Sequence, residues 1–175
     1  MKSFKTGFMS LPKNAHTSIS QMLPQFNNFP NFQHEWLEKG KHFCLERDGE
    51  TKSYDFLFTS IRNPYDRFFS SYNEGRRYGY NKDIDAFAND LMQNNLSHTQ
   101  LWHSQPQTMH LILPNIDFFI RTDNLDKDIR DLCDLLEIEK PKLIHKNNST
   151  KDYSKNSNDI LNSKIHKIFE KDFDL

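Results

Sequence analysis

The sequence predicts an α/β fold: a single domain over residues 1–175 with a mainly parallel sheet flanked by helices. Three observations carry that prediction. Short runs rich in aromatic and branched side chains recur along the chain, each bounded by polar residues, as buried strands are. Each run is followed by a segment whose apolar residues fall at helical spacing, and strands alternating with helices yield a parallel sheet covered by helices. At 175 residues the chain can bury roughly two-thirds of its unfolded surface, so one core and no independent second domain are expected.

Taken in order, the first strand is expected over Phe4–Leu11 ("FKTGFMSL"), with a helix after it in "HTSISQML" that Pro24 stops. The second strand spans Tyr54–Ile61 ("YDFLFTSI"). In the segment that follows, "NPYDRFFSSYNEGRR", Pro64 falls in the first helical turn, where its missing N–H costs nothing. The third strand, Ile116–Arg121, leads into "DNLDKDIRDLCDLLEI". There Asp123 or Asn124 offers an N-cap, and Leu125, Ile129, Leu132, Leu135 and Leu136 make an apolar stripe. Two further helices are expected over Asp83–Asn95 and Asn158–Phe173. The polar segment Gln25–Lys41 and the Asn-rich segment Lys146–Asn158 read as irregular, the kind of segment that carries function in this architecture.

Composition narrows the function. Twenty-three Lys and Arg against 24 Asp and Glu leave a formal net charge of −1, which removes the broad electrostatic case for nucleic acid. An anionic ligand must then be met by a local cluster of positive groups. Apolar residues make up 35% of the chain, and its 15 phenylalanines partly offset a shortage of aliphatics. Cys44 and Cys133 form no CxxC pattern, so neither a disulfide framework nor a zinc site is suggested. With no signal-peptide pattern in "MKSFKTGFMSLPK" and no apolar stretch of membrane-spanning length, a cytoplasmic protein without membrane contact is expected.

In an open parallel sheet, ligands bind beyond the carboxyl ends of the strands. The first strand runs into Lys13 and then Thr17 and Ser18, the second into Arg62 and then Ser70, and the third ends in Arg121, so cations and hydroxyls are expected on one rim. A strand, a tight loop and a helix start together aim unpaired N–H groups and the positive end of a helix dipole at one spot, which favours phosphate or sulfate. Ser70 lies about two helical turns beyond Arg62, too far for both to cap one helix end, though a loop folding back brings them around one anion. The residues alone leave the plainer alternatives open: an ordinary turn at Pro12–Lys13, and Arg62 and Arg67 paired with Asp66 or Glu74 on a solvated surface.

Together, "LPKNAHTSI" and "FTSIRNPYDRFFSSY" resemble the two nucleotide-binding motifs of sulfotransferases that use 3′-phosphoadenosine 5′-phosphosulfate (PAPS), especially the carbohydrate O-sulfotransferase branch. The likeness continues in order through "LWHSQPQ", "FFIRTDNLDKDIRDLCDLLEI", "HKNNSTKDY" and "IFEKDFDL", and covers nearly the whole chain. It implies a P-loop-like sulfotransferase fold. It also implies that Lys13, Asn14, Ala15, His16, Thr17 and Ser18 surround the 5′-phosphosulfate, that Arg62 and Ser70 hold the 3′-phosphate, and that Ser149 and Lys151 close over the nucleotide. Two departures stand out: Ala15 and His16 occupy positions where many relatives have small residues or Gly, and Thr122 and Asp123 stand where the family often has Glu.

The resemblance implies transfer of a sulfuryl group from PAPS to an acceptor hydroxyl, a sugar in this branch, leaving 3′,5′-bisphosphoadenosine and using no metal. Such a transfer is close kin to phosphoryl transfer, with in-line attack and catalysis by positioning and electrostatics. Lys13 is placed to stabilise the leaving group. The acceptor must lose a proton, and the family favours His42, in "KGKHFCLE", as the base. Glu46 and His103 are the next candidates, and Glu46, His103 and Gln107 are expected on the acceptor side. Two other classes stay open: an inactive nucleotide-binding or interaction module on the same fold, and a P-loop kinase. The kinase needs GxxxxGK[ST] and an acidic strand end, neither of which is present in the matching places.

Overall fold

Parallel pairing of the apolar runs builds the sheet. The computed structural model describes residues 4–9, 11–15, 18–19, 21–22, 32–37, 55–111, 116–142 and 158–175. Among these, β1 (Phe4–Met9), β2 (Phe32–Leu37), β3 (Phe56–Ile61) and β4 (Phe118–Arg121) form one sheet in the order β2-β1-β3-β4. All three neighbouring pairs are parallel, with Phe8 in register with Trp36 on one side and Phe58 on the other, and Phe58 in register with Phe118. The helices are α1 (Pro64–Arg77), α2 (Ile84–Met92), α3 (His98–Ser104), α4 (Leu125–Leu135) and α5 (Asp159–Ile168), with 3-10 turns at Gln107–Met109 and Glu170–Asp174. Ser18, Ile19, Gln21 and Met22 are also helical.

The chain divides into two compact units, Met1–Ile61 with Leu113–Asn148, and Arg62–Ile112 with Ser149–Leu175. Each holds its own cluster of buried residues, where the sequence led us to expect one core. In the first, Phe8, Phe58 and Ile120 of the sheet pack with Ile19, Met22 and the stripe Leu125, Ile129, Leu132 and Cys133 of α4. Desolvation pushes the Cys133 thiol up to about 11, so it behaves as a small buried apolar group. In the second unit the core is made of rings. Phe68 meets Phe69, Phe87 and Phe169 with centroids 5.7, 5.8 and 6.4 Å apart, and Leu91, Leu161 and Ile165 fill between them. Gly75 lets α2 come close, since a Cβ there would lie 3.1 Å from Phe87 Cε2.

Several elements differ from the sequence expectation. Residues 32–37, expected to be irregular, form the edge strand β2. The first strand stops at Met9 rather than Leu11. The third begins at Phe118, because Asp117 uses its N–H on Leu57 O (2.8 Å) and its carboxylate on Leu57 N–H (2.7 Å), closing the strand start. The helix α3 was not anticipated, although Ser97 and Gln100 form the reciprocal capping box that marks a helix start. The last helix ends at Ile168 and tightens into the 3-10 turn rather than running to Phe173. Its start is capped by Asn158, whose Oδ1 accepts from Leu161 N–H at 2.8 Å.

Three helices end in the same way, with the third residue past the helix bonded five back and the second bonded to the carbonyl next along. After α1 the left-handed position is Gly79 (φ 86°), after α2 it is Asn94 (φ 56°), and after α4 it is Glu137 (φ 55°). At α4 the bonds are Ile138 N–H to Cys133 O (2.9 Å) and Glu137 N–H to Asp134 O (3.2 Å). Gly and Asn adopt this conformation readily, whereas Glu is strained in it by about 1 kcal/mol. Glu137→Gly is therefore expected to stabilise the protein by about 1 kcal/mol, read as a rise in urea midpoint at unchanged slope; an unchanged or lower midpoint would refute this.

Candidate functional site

The ends of β1 and β3 are laced together. Thr59 Oγ1 donates to Met9 O at 2.8 Å, Asn14 Nδ2 donates to Ser60 O at 2.8 Å, and Ser60 Oγ donates to Asn14 O. These side chains are buried, so the loop after β1 is pinned to β3 where water does not compete. Since β2 lies on one side of β1 and β3 on the other, the pinned loop sits where the strand order reverses, the ligand position in open parallel sheets.

The loop has no glycine, yet it uses the backbone that glycine usually supplies. Lys13 and Ala15 have φ of 67° and 56°, on either side of Asn14, which is not in that region. An alternation of φ sign gathers successive N–H groups onto one side of the chain and makes an anion-binding concavity. Ala15 O then accepts from Ser18 N–H (3.0 Å) and Ile19 N–H (3.1 Å), so the loop opens directly into helix. Lys13 and Ala15 are half-buried, and Ser18 is buried in the first helical turn. Asn14 is fully buried and its side-chain amide is turned to β3, so its side chain shapes the loop from behind.

Arg62 and Ser70 belong to the second unit. Arg62 is the residue after β3, and its backbone is gripped at both ends by one side chain: its N–H donates to Gln107 Oε1 (3.1 Å) and its carbonyl accepts from Gln107 Nε2 (2.9 Å). Ser70, on α1, is half-buried. The neighbouring Ser71 is the buried hydroxyl, within reach of Arg67 O (2.9 Å) and His103 O (2.8 Å). Gln107, expected on the acceptor side, is thus buried and committed to Arg62. His103, the other such candidate, is also buried; its ring holds Thr99 O at 2.7 Å and stacks on Tyr78.

Two charged groups in this unit are buried, Asp172 unforeseen by the sequence and Arg67 against the alternative that placed it on a solvated surface beside Asp66 or Glu74. Among the described residues Arg67 is the largest fully buried side chain, and none of its three guanidinium nitrogens has a hydrogen-bond partner there. Desolvation pushes it down to about 10, Asp172 pulls the other way, and Arg62 adds to the lowering. It therefore stays cationic near neutral pH. Asp172, also buried, accepts from Gln107 N–H (2.8 Å), Thr108 N–H (2.9 Å) and Thr108 Oγ1 (2.7 Å). No local signal in the sequence announces these contacts, which join residues more than sixty positions apart.

Arg121 ends β4 in register with Ile61, where it was expected, but its guanidinium is committed to Asp128. Its Nε and Nη2 donate to the two carboxylate oxygens of Asp128, each at 3.0 Å, and its N–H adds a third bond at 2.8 Å. The Arg121 guanidinium holds the Asp128 carboxyl below the usual carboxylate range. Such a carboxyl binds fewer protons folded than unfolded, so its contribution to stability is complete above about pH 4 and lost as pH falls through its lowered folded value. Asp128→Asn should flatten the acid limb of a stability-against-pH curve in that window; an unchanged limb would count against the pair.

His16, Thr17, His42, Glu46, Ser149 and Lys151 lie outside the described residues. Among the described residues no cluster of three or more His, Cys, Asp or Glu is arranged to hold a metal ion. No described helix is long and apolar enough to cross a membrane. No family model matches the chain, and no curated protein or solved structure matches it either.

Proposed function

We propose that the protein is a PAPS-dependent sulfotransferase on a P-loop-like fold, transferring a sulfuryl group to an acceptor hydroxyl, a sugar by its motif likeness. The observation that carries this reading is the pinned loop at the carboxyl ends of β1 and β3. Lys13 and Ala15 adopt left-handed backbone without glycine, immediately before a helical turn, in the segment that resembles the 5′-phosphosulfate motif. Strained backbone in non-glycine residues persists where the surrounding structure fixes it, here through Asn14 and Ser60. The second support is charge. Arg62 and the buried Arg67 bring two cations to one short segment of an otherwise near-neutral chain.

In this reading Lys13 and the loop N–H groups stabilise charge developing on the leaving phosphate oxygen. Arg62 and Ser70 bind the 3′-phosphate, and Arg67 raises the potential around Arg62. His42 takes the proton of the attacking hydroxyl. No described residue supplies the acidic strand end of a magnesium-dependent kinase: β3 ends in Ile61 and β4 in the Asp128-paired Arg121.

Calorimetry with 3′,5′-bisphosphoadenosine, then transfer from PAPS to a panel of sugar, small-metabolite and tyrosyl hydroxyls, tests the proposal. Binding with transfer supports it, binding without transfer on any acceptor favours the inactive module, and preference for ATP with magnesium overturns it in favour of a kinase. His42→Ala should lose turnover by about a hundredfold or more while keeping nucleotide affinity; unchanged turnover removes His42 as the base.

A further inference from the structure

We infer that Gln107 and Asp172 are positioning residues that aim Arg62, and that selectivity for a 3′-phosphorylated nucleotide depends on them. The inference rests on the proposed role of Arg62 at the 3′-phosphate. An arginine just past a strand has a freely turning backbone unless something fixes it, and that backbone sets where its long side chain starts. Here the fixing group is a single primary amide. Gln107 both accepts from Arg62 N–H (3.1 Å) and donates to Arg62 O (2.9 Å), in the manner of a neighbouring strand, and it is only 1% exposed, so water does not replace it.

The amide is itself held from behind. Pro106, before the 3-10 turn Gln107–Met109, offers no side-chain cap. Asp172 does that work from another part of the chain, taking Gln107 N–H, Thr108 N–H and Thr108 Oγ1 at 2.7 to 2.9 Å. A carboxylate only 3% exposed needs a counter-charge, and the fully buried Arg67 lies within its electrostatic reach. Asp172 therefore fixes the turn, the turn fixes Gln107, and Gln107 fixes the direction in which Arg62 leaves the backbone. None of these groups need touch a ligand.

The test compares PAPS with adenosine 5′-phosphosulfate, which lacks only the 3′-phosphate, by calorimetry on the full chain. Gln107→Met keeps length and volume but removes both bonds to Arg62. It is expected to weaken PAPS about tenfold or more, the equivalent of about 1.4 kcal/mol, while changing affinity for adenosine 5′-phosphosulfate less than about twofold. Equal losses for both nucleotides would mean general damage to the fold and overturn the inference, as would no loss for either. Gln107→Glu retains the bond from Arg62 N–H and loses the one to its carbonyl; it should fall between wild type and Gln107→Met, and carries the same comparison if the Met variant does not fold. Wild-type protein that binds the two nucleotides equally removes the 3′-phosphate role of Arg62, and this inference with it. Wild type that discriminates, with Gln107 variants that discriminate as well, sinks the inference alone.

Discussion

Replacing Asp172 with alanine is expected to cost about 3–5 kcal/mol of stability, because three donors lose one buried charged acceptor and a buried cation loses a nearby counter-charge. The loss has two parts. Gln107 N–H, buried, and Thr108 N–H and Thr108 Oγ1, partly buried, each lose their acceptor. Arg67, already without a hydrogen bond, loses the negative charge that offsets part of its desolvation. Against a total of about 5–15 kcal/mol for a natural domain, this brings the protein close to unfolding at ordinary temperatures. Urea unfolding of Asp172→Ala beside the double variant Asp172→Ala/Arg67→Met gives the check: the second change should restore part of the loss, because it removes a buried charge with nothing left to balance it. If Asp172→Ala falls by less than about 1 kcal/mol, the Asp172 carboxylate is not what secures this region.

The second large effect is on turnover. Lys13→Ala is expected to lower kcat by about 10²–10³, the range for removing one group that stabilises charge formed only in the transition state. Affinity for 3′,5′-bisphosphoadenosine should weaken by about tenfold at most, since the loop's N–H groups remain. Single-turnover transfer beside calorimetry separates the two quantities. A variant that loses affinity and keeps kcat at saturation would place Lys13 in ground-state binding only. Its φ of 67° matters for the design, because Lys13→Gly relaxes the backbone as well as removing the charge, so Ala is the cleaner probe.

The central strands were the most legible part of the fold. β1 and β3 are flanked by partners on both sides, so their sequences are apolar runs that announce themselves. β2 sits at the edge, and its "FQHEWL" mixes Gln, His and Glu with rings, which hid it inside a polar segment. The helix α3 carried a readable start in Ser97 and Gln100, but it is only seven residues long and gives no full period of apolar residues. For the candidate site, sequence picked out Lys13, Arg62 and Ser70 by residue type and motif order. It could not tell that Asn14 would face β3, that Gln107 would grip Arg62, or that Arg121 would be claimed by Asp128. Those outcomes depend on which distant or facing group arrives first in space, and spacing along the chain does not encode it.

The loop between β1 and the first helical residues has a further consequence for how an anion is met. Glycine-rich cradles are conformationally loose and lose much of that freedom when a ligand settles. A cradle whose left-handed corners carry the side chains of Lys13 and Ala15, and whose middle residue is tied to the neighbouring strand, has few shapes available beforehand. Its ordering is completed when the chain folds, so under the proposed function the nucleotide would meet a shape already set and cost the backbone little entropy.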